Sequence, residues 1–241
     1  MSCCPTVVKP VTSDYKGQGI TQYIAGVPGS TTKGVIVVPD IFGFHPNAYH
    51  LADRIAAAGF LVVLPDLFPN NSGWSTTNWP PNFESDEWKA FYGRITAYGP
   101  FVEELKKSEA LLKSLGCTTV GSVGLCWGAK PALAALKEGS TVATICPHPS
   151  FLTVDDVVPA KGPIGFIMSK DEAPLLDVKE ELEKNEFAAK NVFVRFDDLY
   201  HGFLGARGPL QDAFAPVTDD AVAARVSEAA DIVIAFLKNV L

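Results

Sequence analysis

Short β-branched runs alternate with longer stretches of helical spacing along the chain. Val35-Ile36-Val37-Val38 and Phe60-Leu61-Val62-Val63-Leu64 have the length and composition of buried strands. Between them, residues 47–58 carry Ala48, Leu51, Ile55 and Ala58 on one helical face, and Gly59 follows as a stop. Strands with so little polar alternation belong in a parallel sheet covered on both faces. The rhythm repeats, predicting a helix over 102–115, a strand over 120–123, a helix over 127–136 and a strand over 142–145. A strand over 164–168, a helix over 178–189 and a strand over 191–196 come next. The last helix, 219–237, places Val222, Val226, Ala230, Val233 and Leu237 on one face, and residues 18–27 suit an edge strand. The expectation is one α/β domain over residues 1–241, with a mostly parallel central sheet and helices on both sides.

One segment interrupts the rhythm. Residues 69–98 are rich in Asn, Ser, Pro and aromatics and hold three of the four tryptophans, Trp74, Trp79 and Trp88. The segment follows the carboxyl end of a strand, the edge at which α/β sheets bind ligands. Its aromatics argue against disorder, so a lid or pocket wall is expected, the alternative being a surface excursion docked by its rings.

Composition narrows the function classes. The net charge of -7, with Lys and Arg scattered, disfavours nucleic acid as a partner. No run reaches the roughly 18 to 20 apolar residues of a membrane span, and residues 1–5 have neither part of a secretion signal. A cytoplasmic protein acting on small molecules, monomeric or homodimeric, is the expectation. The five cysteines, Cys3, Cys4, Cys117, Cys126 and Cys146, fit neither a disulfide framework nor zinc spacing. No metal and no cofactor is therefore expected.

The sharpest chemical signal is Gly124-Leu125-Cys126-Trp127-Gly128, directly after a strand and before a helix. A G-x-S-x-G elbow needs glycines because the turn is strained and crowded, and here cysteine stands at the serine position. A helix N-terminus favours the thiolate, the nucleophilic form. An acid and then a histidine should follow in chain order. Asp171 lies past the strand 164–168, with Glu172 as the competing register, and His201 lies past the strand 191–196. His148, in Cys146-Pro147-His148-Pro149, is either a pocket residue or a plain loop residue. The loop Pro39-Asp40-Ile41-Phe42-Gly43 follows the strand 35–38, which makes the N–H groups of Ile41 and Trp127 the candidate oxyanion hole.

Taken together, Asp40-Ile41-Phe42-Gly43, residues 59–66 (GFLVVLPD), the Cys126 elbow, Asp171 and His201-Gly202-Phe203 resemble the dienelactone hydrolase family. The resemblance implies an α/β-hydrolase fold, a Cys126-Asp171-His201 triad and hydrolysis of an enol-lactone or related ester. The family commonly carries Glu where Asp40 stands, a residue thought to hold the thiol proton until substrate arrives, so Asp40 is a gating candidate. By the same resemblance, Arg207, or less directly Arg94, would hold a substrate carboxylate. Phe42, Trp74, Trp79 and His148 complete the set expected around the substrate. The rival readings are a ligand-binding or redox-responsive protein with an oxidisable Cys126, and an isomerase or acyltransferase on the same scaffold.

Overall fold

The computed structural model describes residues 22–209 and 220–241. Cys3 and Cys4, residues 18–21 of the expected edge strand and the first residue of the expected last helix lie outside them. Seven strands form one sheet: β1 (Gln22–Ala25), β2 (Lys33–Val38), β3 (Leu61–Pro65), β4 (Thr119–Gly124), β5 (Thr144–Pro147), β6 (Ile164–Ser169) and β7 (Val192–Phe196). Their order is β1-β3-β2-β4-β5-β6-β7. Only β1 is antiparallel, pairing Gln22 with Pro65 and Ala25 with Val62; the other five pairings are parallel. The helices are α1 (Pro46–Ala57), α2 (Asp86–Thr96), α3 (Gly99–Ser114), α4 (Ala129–Lys137), α5 (Val154–Val157), α6 (Leu176–Lys184) and α7 (Asp220–Val240).

The period of two along each strand sorts the core into layers. Val35, Val37, Val62 and Leu64 face α1 and α7, which contribute Leu51, Ile55, Val226, Val233 and Leu237. Ile36, Val38, Leu61 and Val63 face the other way, against Leu105 and Leu112 of α3 and Trp88, Phe91 and Ile95 of α2. Phe166 and Met168 pack with Leu133 of α4 and with Val178 and Leu182 of α6. Because both faces are covered, the strands are apolar almost throughout.

Several boundaries differ from expectation: among them, α3 starts three residues early, at Gly99, and α7 runs three residues further, to Val240. β5 starts two residues late, at Thr144, leaving Val142 44% exposed. α6 ends at Lys184 instead of running to 189. There Asn185 accepts the Phe187 N–H (2.9 Å) and an Asn191 side-chain N–H (2.9 Å), a local alternative to the helical ladder. Segment 69–98 contains two short 3-10 turns and α2, knitted by rings: Trp74 meets Trp88 edge-on at 4.9 Å and Phe91 at 5.2 Å. No helix among the described residues is long and apolar enough to cross a membrane.

Candidate active site

The carboxyl ends of β2, β4, β5, β6 and β7 share one edge of the sheet, and the chemistry-bearing residues collect there. β4 ends at Gly124, and Cys126 follows with φ of 55°, a left-handed conformation costly for any residue with a side chain. Neighbouring backbone enforces the turn. A Cβ on Gly124 would stand 2.6 Å from the Gly128 carbonyl oxygen, and one on Gly128 would stand 2.6 Å from that of Pro39. The Leu125 N–H donates to the Val38 carbonyl (3.0 Å) and the Gly128 N–H to the Leu125 carbonyl (2.7 Å). The Cys126 sulfur is thereby fixed at the entry to α4, where the first N–H groups lack intrahelical acceptors.

Nearby, the Gly43 N–H closes a turn on the Asp40 carbonyl (3.1 Å), with Ile41 inside the turn. The Trp74 N–H holds the Ile41 carbonyl at 2.8 Å. The Trp127 indole is fully buried against Phe68 and Phe101 and donates to the Ile95 carbonyl (2.8 Å). The Trp127 indole is therefore not available to a ligand.

His201 comes to the sulfur from the loop after β7. Its Nε2 lies 3.1 Å from Cys126 Sγ, and its Nδ1 lies 2.6 Å from Glu172 Oε1. This corrects the expected acid: the carboxylate on the imidazole belongs to Glu172, not Asp171. Asp171 instead accepts the backbone N–H of His201 at 2.8 Å through Oδ2. The turn after β6 explains the exchange. β6 runs on to Ser169, whose hydroxyl donates to Glu172 Oε1 (2.9 Å) and whose N–H donates to Oε2. Glu172 is folded back against the strand end, its side chain 6% exposed, while Asp171 faces outward. Arg195 clamps the same turn by donating to the Lys170 and Glu172 carbonyls (3.1 and 3.2 Å). Burial disfavours a charged His201 ring, but a Cys126 thiolate and the Glu172 carboxylate outweigh it and push His201 up to about 10. The imidazole is thus favoured in its charged form between the sulfur and the carboxylate.

The structure also relocates Asp40. Its carboxylate, 2% exposed, accepts the Ala206 N–H (2.7 Å) and the Phe42 N–H (3.0 Å). His45 Nε2 lies 3.3 Å away, off the line of a good hydrogen bond. Among the described residues no hydrogen bond joins Asp40 to Cys126, as a side chain one methylene shorter than Glu allows. Burial raises the Asp40 carboxyl, but His45 and the two N–H donors bring it below the ordinary carboxylate range.

His148 sits beneath His201, ring edge to ring face at 5.3 Å, and is fully buried. Its Nε2 accepts the Leu204 N–H (3.3 Å), so the ring is neutral with its proton on Nδ1, which meets no well-placed acceptor among the described residues. Burial and the His201 charge hold it well below the usual histidine range, against the pull of Asp40. A depressed histidine contributes stability that is present above the unfolded-state value of about 6.5 and lost as pH falls below it. Wild-type stability is therefore expected to fall between pH 7 and 5 by up to about 1.4 kcal/mol per unit from this group. Urea titrations of wild type and His148→Gln check this; the variant's curve should be flatter over that window.

The remaining expected residues fall into two groups. Phe42 and Trp79 meet edge to face at 5.6 Å and are both half-buried. Trp74, in contrast, is packed inside the 69–98 segment with its indole N–H on the Asn78 carbonyl (3.2 Å). Arg207 lies over the Tyr200 ring at 5.1 Å, its stem against Gly202. Arg94 donates to the Ser72 carbonyl and covers the Phe91 ring at 5.1 Å. One residue was missed by sequence reasoning: Ser150, whose hydroxyl lies 3.4 Å from Cys126 Sγ and 3.4 Å from His201 Nε2. Among the described residues no group of three or more His, Cys, Asp or Glu side chains could hold a metal ion.

Comparison with known proteins shows the family of the chain. Residues 20–241 match the dienelactone hydrolase family. The chain belongs to that family. An uncharacterised AIM2 family protein of Schizosaccharomyces pombe is 33% identical over 227 residues, covering 88% of this chain and 90% of that protein. A human carboxymethylenebutenolidase homolog is 27% identical over 217 residues, covering 84% and 83%. The crystal structure of dienelactone hydrolase from Anabaena variabilis superposes with a TM-score of 0.62 at 15% identity, covering 92% of each chain. The fold is that of α/β hydrolases, and membership of the dienelactone hydrolase family makes a hydrolase role the coarse assignment. Within the family frame, the Glu172 acid and the buried, loop-bound Asp40 are features of this chain's own geometry.

Proposed function

We propose that this protein hydrolyses carboxylic esters through Cys126, with enol esters and lactones of small acids as its best substrates. The observation that carries the reading is the unbroken chain from Cys126 Sγ to His201 (3.1 Å) to Glu172 (2.6 Å). The three residues come from the ends of three different strands, and no packing requirement would align them.

The thiolate attacks the acyl carbon, and the carbonyl electrons move to an oxygen held by the Ile41 and Trp127 N–H groups. When the tetrahedral species collapses, the C–O bond breaks and the leaving oxygen takes its proton from His201. Glu172 accepts from Nδ1–H, which keeps the Nε2 lone pair free in the neutral ring and makes Nε2–H the transferable proton of the imidazolium. Water then attacks the thioester, His201 accepts its proton, and the C–S bond breaks to return the thiolate. Thiolate is itself a good leaving group, so the first tetrahedral species reverts unless the departing oxygen is well stabilised. An enolate meets that condition, which is why enol esters and lactones are favoured over amides. Phe42 and Trp79 offer rings to a flat acyl group.

Cys126→Ala should lose activity on such esters by about a thousand-fold or more, with an unchanged circular dichroism spectrum. Full activity in that variant would refute the mechanism. Incorporation of one water oxygen into the ring-opened acid separates hydrolysis from isomerisation or acyl transfer.

A further inference from the structure

The loop after β5 carries three features that the mechanism above does not use. His148 and Phe151 both have left-handed backbone, φ of 39° and 61°, although neither is glycine. Such strain at two positions bracketing Pro149 and Ser150 persists only where the surroundings impose it. They do so here at both ends. The His148 N–H donates to the Ile167 carbonyl of β6 (2.7 Å), and Asp156 caps α5 through the Thr153 N–H (2.7 Å) while pairing with Lys130 of α4. Between these anchors, the Ser150 N–H donates to the carbonyl of Cys126 itself (3.1 Å). The outcome is a half-buried hydroxyl presented to the sulfur and the imidazole at once.

The two contacts are not equivalent. For oxygen and nitrogen, 3.4 Å is a stretched hydrogen bond, whereas for oxygen and the larger sulfur atom it is an ordinary one. His201 Nε2 lies closer to the sulfur, at 3.1 Å, so in the charged ring its N–H has the sulfur as acceptor. The hydroxyl proton therefore goes to sulfur as well.

We infer that Ser150 is a further catalytic residue, whose hydroxyl donates a hydrogen bond to the Cys126 sulfur and stabilises it as thiolate, both at rest and as the leaving group of deacylation. The inference rests on Cys126 being the nucleophile. In the free enzyme the thiolate accepts from Ser150 Oγ–H and from His201 Nε2–H. On acylation the sulfur's electron pair enters the new C–S bond and both donors weaken. When water attacks and its proton passes to His201, the C–S pair returns to sulfur, and Ser150 meets the charge as it forms. Ser150 transfers no proton in this cycle. The main-chain bond from Ser150 to the Cys126 carbonyl keeps the hydroxyl in place, so no reorganisation is needed at either step.

The test is the rate of Cys126 alkylation by iodoacetamide against pH, followed by peptide mass spectrometry on folded wild type, Ser150→Ala and Ser150→Thr. Peptide mapping separates Cys126 from the other four cysteines. Loss of a hydrogen bond to a charged acceptor in Ser150→Ala should move the midpoint of labelling up by about one pH unit, a tenfold slower reaction on the acidic limb. Ser150→Thr should restore the midpoint. With a p-nitrophenyl ester, Ser150→Ala should also accumulate the Cys126 thioester, visible by intact mass. A Ser150→Ala profile that superimposes on wild type overturns the inference, as does a Thr variant shifted as far as Ala. Failure of the underlying reading looks different: Cys126→Ala would keep full esterase activity and no thioester would form in any variant.

Discussion

Glu172→Gln is expected to lower kcat/KM on an enol ester by about a hundred-fold or more, while Asp171→Asn should change it by no more than about three-fold. The asymmetry follows from where each carboxylate is held. Glu172 Oε1 lies 2.6 Å from His201 Nδ1, at a side chain only 6% exposed. Gln keeps the shape of that contact but can turn an N–H towards the ring, which would move the imidazole proton to Nε2 as a neutral tautomer and dissolve the imidazolium–thiolate pair. The Asp171 carboxylate accepts the backbone N–H of His201 and not the ring, from an exposed position. Asn retains an acceptor oxygen there. The pH profile provides a second readout. His201 is pushed up to about 10 by Cys126 and Glu172 against its burial. Removing the Glu172 charge should bring the alkaline limb of the kcat/KM profile down by one or more pH units. Equal losses in the two variants, or a larger loss in Asp171→Asn, would return the acid role to Asp171.

That pair of residues shows where the sequence stops being legible. Strand periodicity places β3, β4, β6 and β7 to within a residue or so, and the elbow glycines announce Cys126, because backbone crowding at Gly124 and Gly128 tolerates nothing larger. His201 follows from chain order and from there being four histidines in all. The acid does not follow in the same way. Asp171 and Glu172 are adjacent, and which one meets the ring depends on the strand ending at Ser169 and on that residue's N–H and hydroxyl folding Glu172 back. Glu is also one methylene longer than Asp, so it can reach from a position one residue further along the turn. Ser150 was invisible for a related reason. Its approach to Cys126 depends on positive φ at His148 and Phe151, which no residue type there signals. A Gly at either site would have marked the turn.

Asp40→Ala is expected to cost about 3–5 kcal/mol of stability, the range for breaking a buried charge away from its partners. The Ala206 and Phe42 N–H groups would be left without acceptors, and His45 without its carboxylate. Asp40→Asn should cost less, about 1–3 kcal/mol, since one oxygen remains to accept. Because the Asp40 carboxyl is held below its ordinary value, its contribution is present above about pH 4 and is lost as pH falls through the folded-state value. The consequence for chemistry decides between two roles. A gating carboxylate that restrains the thiol would, on removal, leave Cys126 more reactive. An anchor acts through the segment 202–208: Asp40 grips it at Ala206 and His148 grips it at Leu204, just beyond His201. Loosening that grip lets the imidazole leave the sulfur, so Cys126 alkylation at pH 7 should slow in Asp40→Asn, by about ten-fold for each 1.4 kcal/mol lost from the pair. Measured on the folded variant, with stability followed in urea, faster labelling would restore the gate. Slower labelling, together with a parallel fall in kcat at unchanged KM, makes Asp40 the residue that holds the base in place.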